Sequence, residues 1–466
     1  MKANSMGRIT LKRNATVNML EGPIWKGLIA FAIPIFLGNL FQQLYNTADT
    51  LIVGNFLGKE ALAAVGSSSN LIFLLISLLQ GIAMGGGVLI AKHYGARERE
   101  DLQLVIHTGV AFGIAGGLIM TISGVALSPL LLRWMGTPEE VMPQSVAYFR
   151  TYFFGALAVF LYNISTGILQ NVGDSRHPLY YLILSSVINV VLDLLFVGVL
   201  GFGVASAALA TVISQGVSAV LCLWQLMRTA DVYRLDWRKI RFHGPTLANI
   251  FRFGLPSGIQ NSVISFANVV VQKNINAFGA NAMAGCGAHS KVEGFAFLPV
   301  TCFAMGLSTF VGQNLGAKQY DRVKKGSRFG ILCCLLLSEL IGALMFIFAP
   351  QLIRLFNSDP EVVAYGVMQC RVVSLFYGLM ALSHSMAGIM RGAGKATVPM
   401  VVMLSCWCLF RVAYITYMVE WFRDIRVVFS AYPVTWSLSS IIFLIYYFKA
   451  DWLHTFDKLE QKKKSC

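Results

Sequence analysis

Long stretches without a single charged residue recur along this chain, at 66–91, 102–132, 151–173, 253–272, 294–317 and 427–448. A helix needs roughly 20 apolar residues to cross the hydrocarbon of a bilayer, and each run reaches that length. A further run, 194–227, is broken near its start by Gly198, Gly201 and Gly203, which place a hairpin turn there. A water-soluble fold has no use for so many helices that are apolar all round. Composition agrees: 13% of the residues are charged, about half of what a soluble chain carries. The sequence reads as an integral membrane protein made of helices.

The first 23 residues are polar and basic, without the short apolar stretch and cleavage site of a signal peptide. The nine cysteines have no framework spacing, and most sit inside apolar runs, where they read as small packing residues rather than disulfides or metal ligands. The sequons at Asn14 and Asn163 fall in a tail and a helix, so glycosylation is not implied. A net charge of +15 invites a nucleic-acid reading. Its distribution gives another one. In a twelve-helix arrangement, 27 of the 37 Lys and Arg fall in the tails and one alternate set of loops, and five in the opposite set. That asymmetry is the positive-inside rule. It predicts a multi-pass protein of the inner (cell) membrane with both termini in the cytoplasm and no nucleic-acid partner.

An internal repeat organises the chain. At an offset of 221–222 residues, Phe31-x-x-Pro34 returns as Phe253-x-x-Pro256, and Asn39 and Asn46 as Asn261 and Asn268. Gly58, Ala61, Ala63 and Gly66 pair with Gly279, Ala282, Ala284 and Gly287. Ala83-Met84-Gly85 becomes Ala304-Met305-Gly306, and Gly167-Ile168 becomes Gly388-Ile389. Six helices per copy is an even number, so the copies insert in the same orientation as parallel repeats, with a pathway expected between them. The spacing predicts helices over 25–53, 60–91, 104–127, 141–170, 178–199 and 203–228, then 248–277, 282–312, 327–350, 362–390, 397–420 and 427–449. The expected organisation is a tail (1–24), a first bundle (25–228), a cytoplasmic linker (229–247), a second bundle (248–449) and a tail (450–466). Pro34 and Pro256, in the first helix of each half, are candidate hinges.

Departures from the repeat locate chemistry needed once. Asp49 in helix 1 corresponds to Val271, Asp193 in helix 5 to Tyr414, and Asn189 to Phe410. Tyr45 and Asn46 share the helical face of Asp49. A charged aspartate inside a membrane costs several kcal/mol. Burial and a neighbouring like charge both oppose double ionisation, so such a pair suits a single bound proton. The alternative is a pair that caps helix ends at the membrane surface. Other ionisable groups are candidates for a substrate contact or an ion pair: Lys273 with Glu293, Lys291 competing, and His384 and Arg411 deeper in the second half. Glu339, mid-helix, is expected to snorkel or to pair with Arg411 or His384.

No nucleotide motor is encoded. Gly392-Ala393-Gly394-Lys395 lacks both the leading glycine and the following Ser/Thr of a phosphate loop. There is no HExxH, CxxC or GxSxG either, and no prenyltransferase-like acidic array, so an enzyme is not expected. Uphill transport would draw on an ion gradient. One proton crossing ~150 mV releases about 3.5 kcal/mol.

The segments Ile33-Pro34…Tyr45-Asn46-x-x-Asp49-Thr50, Gly58-x-x-Ala61-Leu62-Ala63, Ala83-Met84-Gly85, Gln170-Asn171-x-Gly173-Asp174, Asn189-x-x-x-Asp193 and Gly203-Val204-Ala205-Ser206-Ala207-Ala208-x-Ala210-Thr211 resemble the multidrug and toxic compound extrusion (MATE) family. The chain is most similar to the prokaryotic branch with aspartates on helices 1 and 5. The resemblance implies twelve transmembrane helices forming a V-shaped cleft, and antiport of lipophilic, often cationic small molecules against H+, less readily Na+, without a further cofactor. It carries Tyr45, Asp49, Asn189, Asp193 and Thr211 over as the cation or proton site, with Na+ at Asp49 and Asp193 the one metal to consider. A monomer in the lipid bilayer is expected. The second-half acidic positions of related branches are Gln260-Asn261-Ser262-Val263-Ile264 and Met380-Ala381-Leu382-Ser383-His384 here, without a carboxylate. A flippase for a lipid-linked precursor on the same fold is the alternative, disfavoured because Arg411 is the one deeply placed arginine expected.

Overall fold

The computed structural model describes residues 16–464 and contains helices and connecting loops; Asn14 and Cys466 lie outside the described residues. Helix α1 is Ile24–Gly58, and α2 is Ala63–Ala96. Their junction is Gly58, whose φ of 83° suits glycine alone. Then come α3 (Arg99–Trp134), α4 (Met142–Phe154 continued by Ala156–Asn171), α5 (Arg176–Val199) and α6 (Ala205–Arg228). The second half repeats the pattern with α7 (Gly244–Asn276), α8 (Ala280–Gly316), α9 (Tyr320–Ile347), α10 (Pro360–Ser374 continued by Tyr377–Gly392), α11 (Thr397–Phe422) and α12 (Ile425–Lys449). The turn before α8 is Gly279, φ 98°, the repeat partner of Gly58. A final helix, α13 (Thr455–Lys464), lies within the expected C-terminal tail.

Among the described residues nine helices are long and apolar enough to cross a membrane, and the bent pairs α4 and α10 bring this to eleven. Helix α7 falls short on apolarity, because its buried face carries Ser257 and Gln260 and packs on the other lobe. Two expected straight helices are broken. α4 bends by 48° at Gly155 and α10 by 57° at Leu375–Phe376, positions related by the repeat. The break in α10 is stabilised from outside: the freed N–H of Gly378 donates to Glu339 Oε1 at 2.8 Å. Glu339 is exposed on α9, and its partner is this backbone amide rather than the expected Arg411 or His384. Two π-helical turns, Leu194–Val199 in α5 and Leu404–Phe410 in α11, end beside or begin after charged positions, Asp193 and Arg411. Pro34 lies within α1 without non-helical backbone around it.

Each half is a bundle, and the two meet along α1 and α2 against α7 and α8. Glycine permits the approach. A Cβ at Gly81 or Gly85 would overlap the backbone at Gly258 or Gly254, and one at Gly95 or Gly316 the backbone of Gln313 or Lys92. Hydrogen bonds follow the same seam, from Gln313 Nε2 to the Asn171 carbonyl (2.8 Å) and from Thr309 Oγ1 to Asn171 Oδ1 (3.3 Å). These contacts occupy the half of the bundle that also holds both termini. The lobes form a V whose mouth is at the opposite end, where Asn46, Thr47 and Thr50 of α1 are exposed. Seven of the eight described cysteines are buried between helices.

Candidate functional site

Inside the first lobe, α1, α5 and α6 bring together most of the residues singled out by the broken repeat. Asp193, in the last α-helical turn of α5, is fully buried, at 0% exposure. Among the described residues neither of its carboxylate oxygens has a hydrogen-bond partner. Asp49 is half-buried on α1, with Oδ1 unpartnered, and lies within electrostatic reach of Asp193. Tyr148 of α4 lies within reach of both carboxylates. Asn189, one turn before Asp193, donates through Nδ2 to Thr211 Oγ1 at 3.5 Å, a long contact, while its Oδ1 has no partner. Tyr45 is buried, and its hydroxyl accepts from Gln215 Nε2 at 3.2 Å. Asn46, by contrast, is exposed, and its backbone carbonyl accepts from Thr50 Oγ1 rather than from the group.

Gln215 and Tyr148 were not anticipated, yet the signal was present: their repeat partners are Trp436 and Gln369. The full exchange is informative. Asn189, Asp193, Thr211 and Gln215 of the first lobe correspond to Phe410, Tyr414, Tyr432 and Trp436 of the second. One lobe therefore builds a polar pocket where its twin builds an aromatic one.

Arg411 is buried in that aromatic pocket at 3% exposure. Its guanidinium lies 4.5 Å from the Tyr432 ring centroid and 5.4 Å from that of Trp407, and donates to Thr435 Oγ1. Trp407 also meets the edge of the His384 ring, with centroids 5.5 Å apart. Glu293 accepts from the Tyr377 hydroxyl at 3.4 Å and feels the charge of Arg411. The expected pairing of Glu293 with Lys273 is not formed, and Lys273 is exposed. Counted along the two helices from Gly279, Glu293 lies roughly 12 Å deeper than Lys273 at 1.5 Å per residue. Lys291 lies over the ring of Phe356 instead.

Below the aspartates, toward the terminal end, the first lobe lines most of an open-sided cavity of about 390 Å3, to which Ile250 and Met305 of the second lobe also contribute. Amide side chains, Asn39, Gln42, Gln80, Asn163 and Asn171 among them, interrupt an otherwise apolar lining. Such a space, mostly apolar with a few fixed polar groups, suits a small organic molecule.

The MatE family profile matches residues 34–195 and again 256–417, one match per lobe. The chain belongs to the MatE family. Its relatives in that family include a probable multidrug resistance protein, YoeA, of Bacillus subtilis, 29% identical over 434 residues that cover 91% of this chain and 93% of the relative. The probable multidrug resistance protein NorM of Thermotoga maritima is 28% identical, covering 82% and 83% of the two chains. Among solved structures, a MOP superfamily transporter from Pyrococcus furiosus superposes with a TM-score of 0.88 at 25% identity, over 93% of this chain and 97% of that one. As a MatE protein this chain is a multi-pass membrane transporter of small molecules and not an enzyme.

Proposed function

We propose that this chain exports small amphipathic molecules by antiport against a cation, H+ in preference to Na+, through alternating access of the cleft between its lobes. The observation that carries the reading is the Asp193 carboxyl: fully buried, without counter-charge or hydrogen-bond partner among the described residues, and within reach of Asp49. An uncompensated carboxylate in such a place costs several kcal/mol. Binding a proton removes that cost, and binding Na+ offsets it. Occupancy by the ion and occupancy of the neighbouring cavity then compete through the shared helices α1 and α5, which line both. The cargo is lipophilic and often cationic, the transporter acts as a monomer, and the basic loops hold the terminal end in the cytoplasm.

The test is efflux of a fluorescent organic cation, ethidium, from proteoliposomes under separately imposed pH and sodium gradients. Asp49→Asn and Asp193→Asn are each expected to lower gradient-driven efflux by about tenfold or more, since each removes the group that titrates or coordinates. Parental rates in both variants would remove the coupling site from these residues. If neither gradient drives any solute, the flippase reading gains.

A further inference from the structure

Arg391 is a cation without an assigned task. It sits in the last turn of α10, and its side chain lines an open-sided cavity of about 70 Å3 between the lobes on the terminal side. α1, α2 and α4 supply one wall, and α7, α8 and α10 the other. Arg391 Nε has no hydrogen-bond partner among the described residues. Among the described residues no carboxylate ion-pairs with it. The remaining polar lining is neutral: Gln170, Asn171, Ser257, Ser308 and Thr309. The repeat aligns Arg391 with Gln170, so the charge is particular to one lobe and meets the amide of the other across the seam.

A half-buried guanidinium without a protein counter-charge is matched by its planar fork of donors to a carboxylate or a phosphate. Here the protein provides neither. A space of about 70 Å3 holds a few waters or one small polar group, since a water occupies some 10–15 Å3 by this measure. It is too small for a whole drug-sized molecule. It shares Ile35, Met84, Gln170, Asn171 and Met305 with the 390 Å3 cavity of the first lobe, so the two spaces adjoin.

We infer that Arg391 binds an anionic group, a carboxylate or its sulfonate or phosphate equivalent, of cargo whose body lies in the adjoining first-lobe cavity. The inference deepens the export reading and rests on it for the identity of the occupant as cargo. It extends the cargo from cations to zwitterions and organic anions. The site lies at the end where the lobes now meet, so parting them there opens it toward the side of the termini, where cargo is loaded.

The experiment uses two dyes that differ by one charge: rhodamine 110, with a free carboxylate, and rhodamine 123, its methyl ester. Binding to the purified full-length protein is followed by fluorescence polarisation at pH 7, without any gradient. The parent is expected to bind the acid more tightly than the ester. Arg391→Gln is expected to weaken the acid by about tenfold and the ester by less than about twofold, as befits loss of one charge-assisted contact, and Arg391→Lys to keep part of the preference. Equal weakening of both dyes, or none, would overturn the assignment and leave Arg391 as a cap on its own helix terminus. Should Arg391→Gln fail to fold, the parent still decides: an ester bound as tightly as the acid refutes the site. Because the measurement needs no gradient, loss of coupling in the aspartate variants and loss of the anion preference are read separately.

Discussion

At the scale of single residues, this protein treats its ionisable groups in two different ways. Glu339 and Arg411 are satisfied: the first by the backbone amide of Gly378, the second by Thr435 and two aromatic faces. Among the described residues Asp193 finds no hydrogen-bond partner for either oxygen and Arg391 none for Nε, and Arg391 lines a cavity between the lobes. Glu339→Ala leaves the Gly378 N–H at the break of α10 without its acceptor, which costs about 1–3 kcal/mol. The variant is expected to unfold at a lower temperature, and Glu339→Gln, which keeps a carbonyl acceptor, to recover most of the loss. Equal thermal midpoints for the parent and the alanine variant would show that the contact contributes nothing.

At the scale of helices, glycine sets the geometry of the seam. α2 and α7 approach so closely that a single methyl group at Gly81 overlaps the backbone of Gly258. Gly66, farther along α2, has open space where its Cβ would be. Gly81→Ala is therefore expected to wedge the lobes apart on the terminal side, at about 1–3 kcal/mol for overpacking, while Gly66→Ala does little. A cysteine placed at Ser308 reports the difference through its labelling rate with a membrane-impermeant maleimide. Unchanged labelling in Gly81→Ala would mean that the seam adapts without parting. The broken helices α4 and α10 belong to the same scale. Continuous apolar runs conceal them, because hydropathy is indifferent to a bend.

At the scale of the whole molecule, both chain ends fasten the seam. The N-terminal segment runs from Gly173 of the first lobe, whose carbonyl accepts from Val17 N–H, to Asn314 and Arg322 of the second. Arg322 donates to the carbonyls of Met19, Glu21 and Gly22. Helix α13 does the same from the other end: Glu460 pairs with Lys92 of α2 at 2.9 Å, and Asp457 accepts from the Tyr320 hydroxyl of α9 at 2.6 Å. Parting the lobes here breaks these bonds. Arg322→Ala is expected to raise maleimide labelling at the Ser308→Cys position more than Lys92→Ala does. The first loses charge-assisted bonds to three carbonyls; the second loses a partly exposed ion pair, worth about 0.2–1 kcal/mol. The reverse order would place the fastening in α13 rather than in the N-terminal segment.

The sequence by itself determined the membrane class, the twelve helices and the two repeats. Each rests on patterns local to a helix or carried by the offset of 221–222 residues, and bilayer thickness leaves few alternatives. Tyr45 follows from the helical face it shares with Asp49 and Thr211 from the family resemblance, while Asp49, Asp193 and Asn189 stand out because duplication makes a one-sided polar residue conspicuous. Gln215, opposite Trp436, was legible by the same rule. What the tertiary structure decided is which ionisable groups find partners. The exchange of Lys273 for Tyr377 beside Glu293, the amide partner of Glu339 and the unpaired Arg391 all depend on the depth at which a side chain enters and on which helix faces it. Those are relations between elements far apart in the chain, and no periodicity within one helix encodes them.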